Sequence, residues 1–344
     1  MRTLNALPQV GAGNTVIPRR FTRLPPTIAP MQANKTTDQR AQRPSLHGRA
    51  VHRIVFVTGK GGVGKSAVAA ATALQYARAG HSVLLVELGS RSFYGPLLGL
   101  PVDDVPVPWL ENIGVVRWDV EGALREYITH YLMFKAAADK ILGNTVMKAL
   151  VAAAPSLAEL AMLGKLTAPM RHTWYKRDVD VVVIDAYATG QFMALLRAPR
   201  GLAKTASSGP MHTHSTEIVR LLGNPDICEY RLVTLAEEMP ISEACEMAGE
   251  IRAETGIAPK VYCNRLLDLP ADMADLPASA AAAPFIAHMQ RIAKRQRTSL
   301  AALKRLGSDR GGPVRCLPLI PTVDADELLK GLADALDSVS RVVT

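Results

Sequence analysis

The amino-acid sequence predicts an α/β fold: a multi-stranded, mainly parallel sheet with helices on both faces. Three observations carry that expectation. Short, strongly apolar runs recur at 54–57, 82–87, 113–118, 179–185, 231–235, 260–264 and 315–319, without the polar alternation of a sheet wetted on one face. Stretches with helical spacing separate most of these runs, as right-handed crossovers between parallel strands require. The first run also leads through a glycine-rich turn straight into an Ala-rich helical stretch, giving strand, loop and helix in direct succession.

Taken in order, residues 1–50 hold scattered prolines, few periodic apolar positions and eight Lys or Arg against Asp38 alone, so they carry +7 of the net charge of +9. They read as a disordered basic extension. The remainder, 51–340, is long enough for one large domain and nearly neutral, which argues against a nucleic-acid groove across the folded body. A cytoplasmic location is expected. Organelle import stays open as an alternative, since the extension is Arg-rich and acid-poor, though it has little Ser. No run of about 18 uncharged apolar residues is available to span a bilayer. The cysteines, Cys228, Cys245, Cys263 and Cys316, form no C-x-x-C pair and read as reduced core thiols.

The run 54–57 is followed by Gly59-Lys60-Gly61-Gly62-Val63-Gly64-Lys65-Ser66. Glycines allow the tight turn that aims backbone N–H groups at an anion, at a helix N-terminus that already favours negative charge. Lys65 is placed to reach β- and γ-phosphates, and the Ser66 hydroxyl to hold Mg²⁺. These residues predict a nucleotide-binding phosphate loop and a P-loop NTPase fold. The helix then runs to about residue 78, ends at Gly80, and leads into the run 82–87, which completes a β-α-β unit. Between 121 and 170 the pattern changes to helix after helix and reads as a helical insertion. Leu124, Ile128, Tyr131 and Leu132 form a stripe there, with Met133, Met147, Met162 and Met170 scattered through it. Such stripes are ordinarily core, and the alternative is a surface for a hydrophobic client. Asp185 closes the most apolar run, where P-loop enzymes place a carboxylate for Mg²⁺. Residues 186–191 are then the loop expected to sense the γ-phosphate, with Thr189 and Gly190 in it. A helix opens near Pro240 and ends at Gly256. A loop at about 269–284 precedes a basic helix, 289–306, whose charges read as a solvated face. An acidic segment carrying Asp324, Asp326, Glu327, Asp334 and Asp337 closes the chain.

Lys60 adds a second lysine at the loop entrance, and the run from Lys60 to Ser66 resembles the deviant loop of a class of dimeric ATPases. More narrowly, four stretches are similar to the ArsA and guided-entry (tail-anchored protein targeting) branch: 56–74, 185–200, 232–244 and 261–265. The resemblance implies that Lys60 crosses to a partner subunit's phosphates, as an arginine finger does. It implies that the loop from Gly59 through Ala67 cradles ATP, that Asn264 contacts adenine, and that Mg-ATP closes a dimer handling a client such as an arsenite pump or a tail-anchored protein. The match fails in places. Family members carry an Asp that positions the attacking water where this chain has Gly89, so hydrolysis is expected to be slow, or Glu87 to take over from the strand end. Tyr187, Gln191 and Ala67 also depart from the pattern. Binding residues are kept while hydrolysis residues are eroded, so a homodimer and a heterodimer with a paralogue both stay open. A Min/Par-type positioning ATPase is a weaker alternative. Dispersed thiols argue against a soft-ligand site.

Overall fold

The computed structural model describes residues 53–131, 155–171, 179–205, 208–267, 282–310 and 314–341. The extension 1–50, the middle of the helical insertion with Met133 and Met147, and nearly all of the 269–284 loop lie outside these residues. Residues 49–344 form a single contact unit. Its centre is an eight-stranded sheet: β1 (Arg53–Gly59), β2 (Val83–Leu88), β3 (Val107–Leu110), β4 (Ile113–Trp118), β5 (Val181–Asp185), β6 (Cys228–Leu235), β7 (Lys260–Leu266) and β8 (Arg315–Pro318), in the order β3-β4-β2-β5-β1-β6-β7-β8. All pairings are parallel except β3 with β4, which is antiparallel.

Nine helices are described: α1 (Lys65–Arg78), α2 (Tyr94–Leu98), α3 (Val120–Tyr131), α4 (Pro155–Arg171), α5 (Thr189–Thr205), α6 (Pro210–Leu222), α7 (Glu238–Thr255), α8 (Ala283–Arg310) and α9 (Ala325–Arg341). The central strands are apolar on both sides because both sides are covered. Val55, Val57, Val83, Leu85, Val181 and Val183 face α1 and α9, while Ile54, Phe56, Leu84, Val86, Val182 and Ile184 face a second core formed with α3, α4, α5 and α7. On that second side Phe56 stacks on Tyr230 at 5.4 Å and meets Phe192 at 5.8 Å, which pins α5 across the middle of the sheet.

Three local outcomes differ from expectation. Strand β6 begins at Cys228, three residues earlier than the apolar pattern suggests, because Glu229 and Arg231 are both buried and paired to each other at 2.7 Å. Strand β3 is an edge strand that Pro106 and Pro108 hide from pattern reading. The expected sensing loop is shorter than 186–191: the Phe192 N–H donates to the Ala188 carbonyl at 3.0 Å, so Thr189 and Gly190 already lie in the first turn of α5. Within the insertion, Leu124 and Met162 are buried core, and Ile128 packs against them. Arg291, Lys294, Arg295, Arg297 and Lys304 on α8 are exposed. Among the described residues no helix is long and apolar enough to cross a membrane.

Candidate functional site

Parallel strands leave their C-terminal ends on one crest, and ligands of open α/β sheets bind there, where neighbouring strands diverge. Strand β1 lies between β5 and β6, so the loop after it stands at the middle of that crest. Gly59 must come first. Its φ is +148, and a Cβ there would stand 2.1 Å from the Val233 carbonyl oxygen of β6. Gly62 and Gly64 follow in left-handed conformations, φ +84 and +91. Asn264, at the end of β7, donates its amide nitrogen to the Val63 carbonyl at 2.9 Å and accepts from the Arg265 N–H at 2.9 Å, so a buried side chain splints the loop from beneath.

Helix α1 opens on Gly64 with no side-chain cap and no acid in its first turn. Its first intrahelical bond runs from the Val68 N–H to the Gly64 carbonyl at 3.1 Å, so the N–H groups of Lys65, Ser66 and Ala67 point out of the helix end. Gly61 is informative by contrast. It needs no special φ, and a Cβ there would meet nothing within 4 Å. Nothing within the chain demands glycine at 61, whereas an anion lying on the loop would.

Side chains converge on the same end. Burial lowers the pKa of Lys65, partly countered by the charge of Asp185, and its Nζ donates to the Lys60 carbonyl at 3.2 Å across the loop. Asp185 is 8% exposed; burial pushes its carboxyl up to about 6, against the opposing pull of the Ser66 hydroxyl and Lys65. Ser66 and Asp185 thus present a hydroxyl and a carboxylate side by side, the hard oxygen donors that suit Mg²⁺ when substrate phosphates complete the shell. Thr189 and Gly190 stand at the N-terminus of α5, next along the crest, and Gly190 is exposed.

Glu87 is Cα partner to Asp185 on the adjacent strand, but its carboxylate is engaged. One oxygen accepts from the Ser92 hydroxyl at 2.8 Å and the other from the Phe93 N–H. Gly89 has φ +148 in open space; its N–H donates to the Trp118 carbonyl at 3.1 Å, and its carbonyl accepts from Arg117 at 3.1 Å. Lys60 donates from Nζ to Glu243 on α7 at 2.5 Å, with the two side chains 40% and 35% exposed.

Two residues that sequence reasoning did not single out complete the site. Glu243 is one. The other is Tyr94, whose hydroxyl lies 2.8 Å from the Ser66 carbonyl and 3.3 Å from Asp185. No local pattern marks either. The thiols are also less dispersed than their spacing suggests: Cys263 and Cys316 are Cα partners on β7 and β8, with the Cys263 thiol pushed up to about 12 by burial. Among the described residues no three His, Cys, Asp or Glu side chains gather into a metal-binding group.

With this geometry in place, comparison with known proteins is specific. Residues 52–208 match the family model for the anion-transporting ATPases of ArsA type. The chain is 30% identical over 244 residues to the ATPase BagA of Mycobacterium tuberculosis, covering 66% of this chain and 69% of that protein. It is 27% identical over 242 residues to an arsenical pump-driving ATPase of Escherichia coli, covering 67% of this chain and 39% of that longer protein.

Proposed function

The chain belongs to the ArsA-type anion-transporting ATPase family, and from that premise we propose that it binds ATP with Mg²⁺ at the loop 59–66 and hydrolyses it to drive closure of a dimer. The observation that carries this is the loop itself: left-handed glycines, an uncapped helix start and Lys65 at the crest beside Ser66 and Asp185. The N–H groups of residues 61–67 and the Lys65 ammonium take the β- and γ-phosphates. Ser66 and Asp185 hold Mg²⁺, which neutralises phosphate charge when bound. Thr189 and Gly190 face the terminal phosphate from the start of α5, and Asn264 approaches the base while it supports Val63. Lys60 leaves Glu243 and enters the partner's site, where a cation delivered in trans stabilises the transferring phosphoryl group. Glu87 holds the loop after β2; to act as a base it must first release Ser92 and Phe93. A hydrophobic client, where one is carried, meets the helical layer around α3 and α4.

A second form of the proposal is favoured by Gly89. Without a carboxylate at that position the water lacks an oriented acceptor, and this chain serves as the nucleotide-binding, hydrolysis-poor half of a heterodimer with a paralogue. Two measurements test the proposal and its second form. Calorimetry of the full chain should show Mg-ATP binding that Lys65→Ala weakens at least about tenfold, and absence of binding by the folded wild type overturns the proposal. Turnover by the purified chain alone at about 1 s⁻¹ or faster, abolished in Lys65→Ala, rejects the hydrolysis-poor form.

A further inference from the structure

Tyr94 is a polar residue with no solvent exposure, placed under the metal end of the candidate site. Its ring packs in the core between the sheet, α1 and α9, and Phe93 meets it edge-on at 5.4 Å. A phenol that deep must find a partner for its hydroxyl. It finds two, the Ser66 carbonyl at 2.8 Å and Asp185 Oδ2 at 3.3 Å, which belong to the two residues assigned to Mg²⁺ above. The Ser66 carbonyl oxygen can only accept, so the phenol is the donor of that bond, and its hydroxyl faces a second oxygen on Asp185. One proton cannot serve both oxygens fully. Whatever draws on the Asp185 carboxylate therefore alters how firmly the hydroxyl holds Ser66.

The segment that carries Tyr94 is tied into one piece. Glu87 grips the Ser92 hydroxyl and the Phe93 N–H, and the Ser92 oxygen in turn accepts from the Gly95 N–H at 2.9 Å. At the other end Gly89 is fastened on both its N–H and its carbonyl to the end of β4. A stretch anchored at Gly89 and at Ser92–Gly95 responds to its surroundings as a unit, and its contact with Ser66 and Asp185 runs through one hydroxyl.

We propose that Tyr94 is a positioning residue: its hydroxyl orients Ser66 and Asp185 for magnesium, and through it the loop 89–93 registers whether the metal is bound. This rests on the assignment of Ser66 and Asp185 to Mg²⁺ in the proposed function. It gives the stretch where Gly89 replaces a catalytic carboxylate a task that needs no carboxylate, namely reporting metal loading at the crest.

Tyr94→Phe keeps the ring and removes only the hydroxyl. Binding of a fluorescent N-methylanthraniloyl-ATP to the full chain is titrated with Mg²⁺ and repeated in EDTA. Half-saturating Mg²⁺ is expected to rise about fivefold, as loss of one hydrogen bond implies, with affinity in EDTA unchanged. Hydrogen exchange over 88–95 should slow on Mg²⁺ addition in the wild type and lose that response in Tyr94→Phe. A wild-type magnesium midpoint in Tyr94→Phe, or an equal loss of affinity with and without Mg²⁺, overturns the inference alone. A wild type without any magnesium-dependent binding overturns the proposed function with it. Ser92→Ala leaves both hydroxyl contacts intact and is expected to keep the wild-type midpoint while exchange over 88–95 quickens. A midpoint shift as large as that of Tyr94→Phe would show general loosening and overturn the assignment.

Discussion

Gly64 carries two constraints at once, and both bear on the site. Its backbone is left-handed, and a Cβ there would meet the Asn264 amide nitrogen at 2.5 Å. That amide has little freedom to retreat, because it holds the Val63 carbonyl while Oδ1 of the same side chain holds the Arg265 N–H. Gly64→Ala is therefore expected to displace the last turn of the loop, lowering Mg-ATP affinity at least about tenfold by calorimetry and unfolding free energy by about 1–3 kcal/mol. Gly61 supplies the contrast: with open surroundings, Gly61→Ala should cost nucleotide affinity while stability stays within about 0.5 kcal/mol. The loop was legible in the sequence because its glycines, Lys65 and Ser66 fall within eight consecutive residues between an apolar run and a helical stretch, whereas the clash that Asn264 sets for Gly64 comes from a distant strand. Tyr94 and Glu243 were not legible. Their hydrogen bonds join residues 28, 91 and 183 positions apart, and neither residue type advertises such a partner.

At the scale of elements, apolarity located the central strands and failed where charge is buried. In β6, Glu229 and Arg231 point to the α1 face, two residues apart. Arg53 at 3.3 Å and Lys260 at 2.8 Å also bear on Glu229, while Arg231 reaches Thr72 at 2.9 Å. Burial pushes the Glu229 pKa upward, but Arg231 and Lys260 override it and hold the carboxyl down at about 2. A carboxyl whose folded pKa is depressed contributes stability that is present above its unfolded value and lost as pH falls through the folded one. Here that window runs from 4.5 down to about 2. Glu229→Gln leaves Arg231 buried without its anion, so it is expected to lose about 3 kcal/mol at pH 7. Denaturation curves across pH should show the gap between variant and wild type closing as pH falls from 4.5 toward 2; a constant gap would remove this cluster from the acid limb of stability. The same reasoning explains the missed elements. The prolines that obscured β3 suit an edge strand, and α5 begins early because Ala188 closes its first turn, which a search for apolar periodicity does not register.

For the whole molecule, four of the seven large apolar side chains exposed among the described residues, Phe93, Met239, Leu319 and Val323, follow the C-terminal ends of parallel strands, as the loop 59–66 does. A second subunit closing over the nucleotide would cover them, and Lys60 would be its reach into the neighbouring site. In the single chain, however, Lys60 is bonded to Glu243 of its own α7, so the proposed closure would exchange a bond in cis for phosphate contacts in trans. The pair is more than a third exposed, which limits its worth to about 0.2–1 kcal/mol. That would be enough to set the threshold of the proposed assembly without blocking it. Glu243→Gln is expected to lower the subunit concentration for half-maximal ATP-dependent homodimerisation by up to about thirtyfold, one pair being released in each subunit, in sedimentation or light scattering, with the gain shrinking as salt is raised. Adding Lys60→Ala to Glu243→Gln should erase the gain, because no lysine remains to be freed. If Glu243→Gln instead weakens assembly, the carboxylate belongs to the closed interface, and its bond to Lys60 prepares the lysine for the partner instead of withholding it.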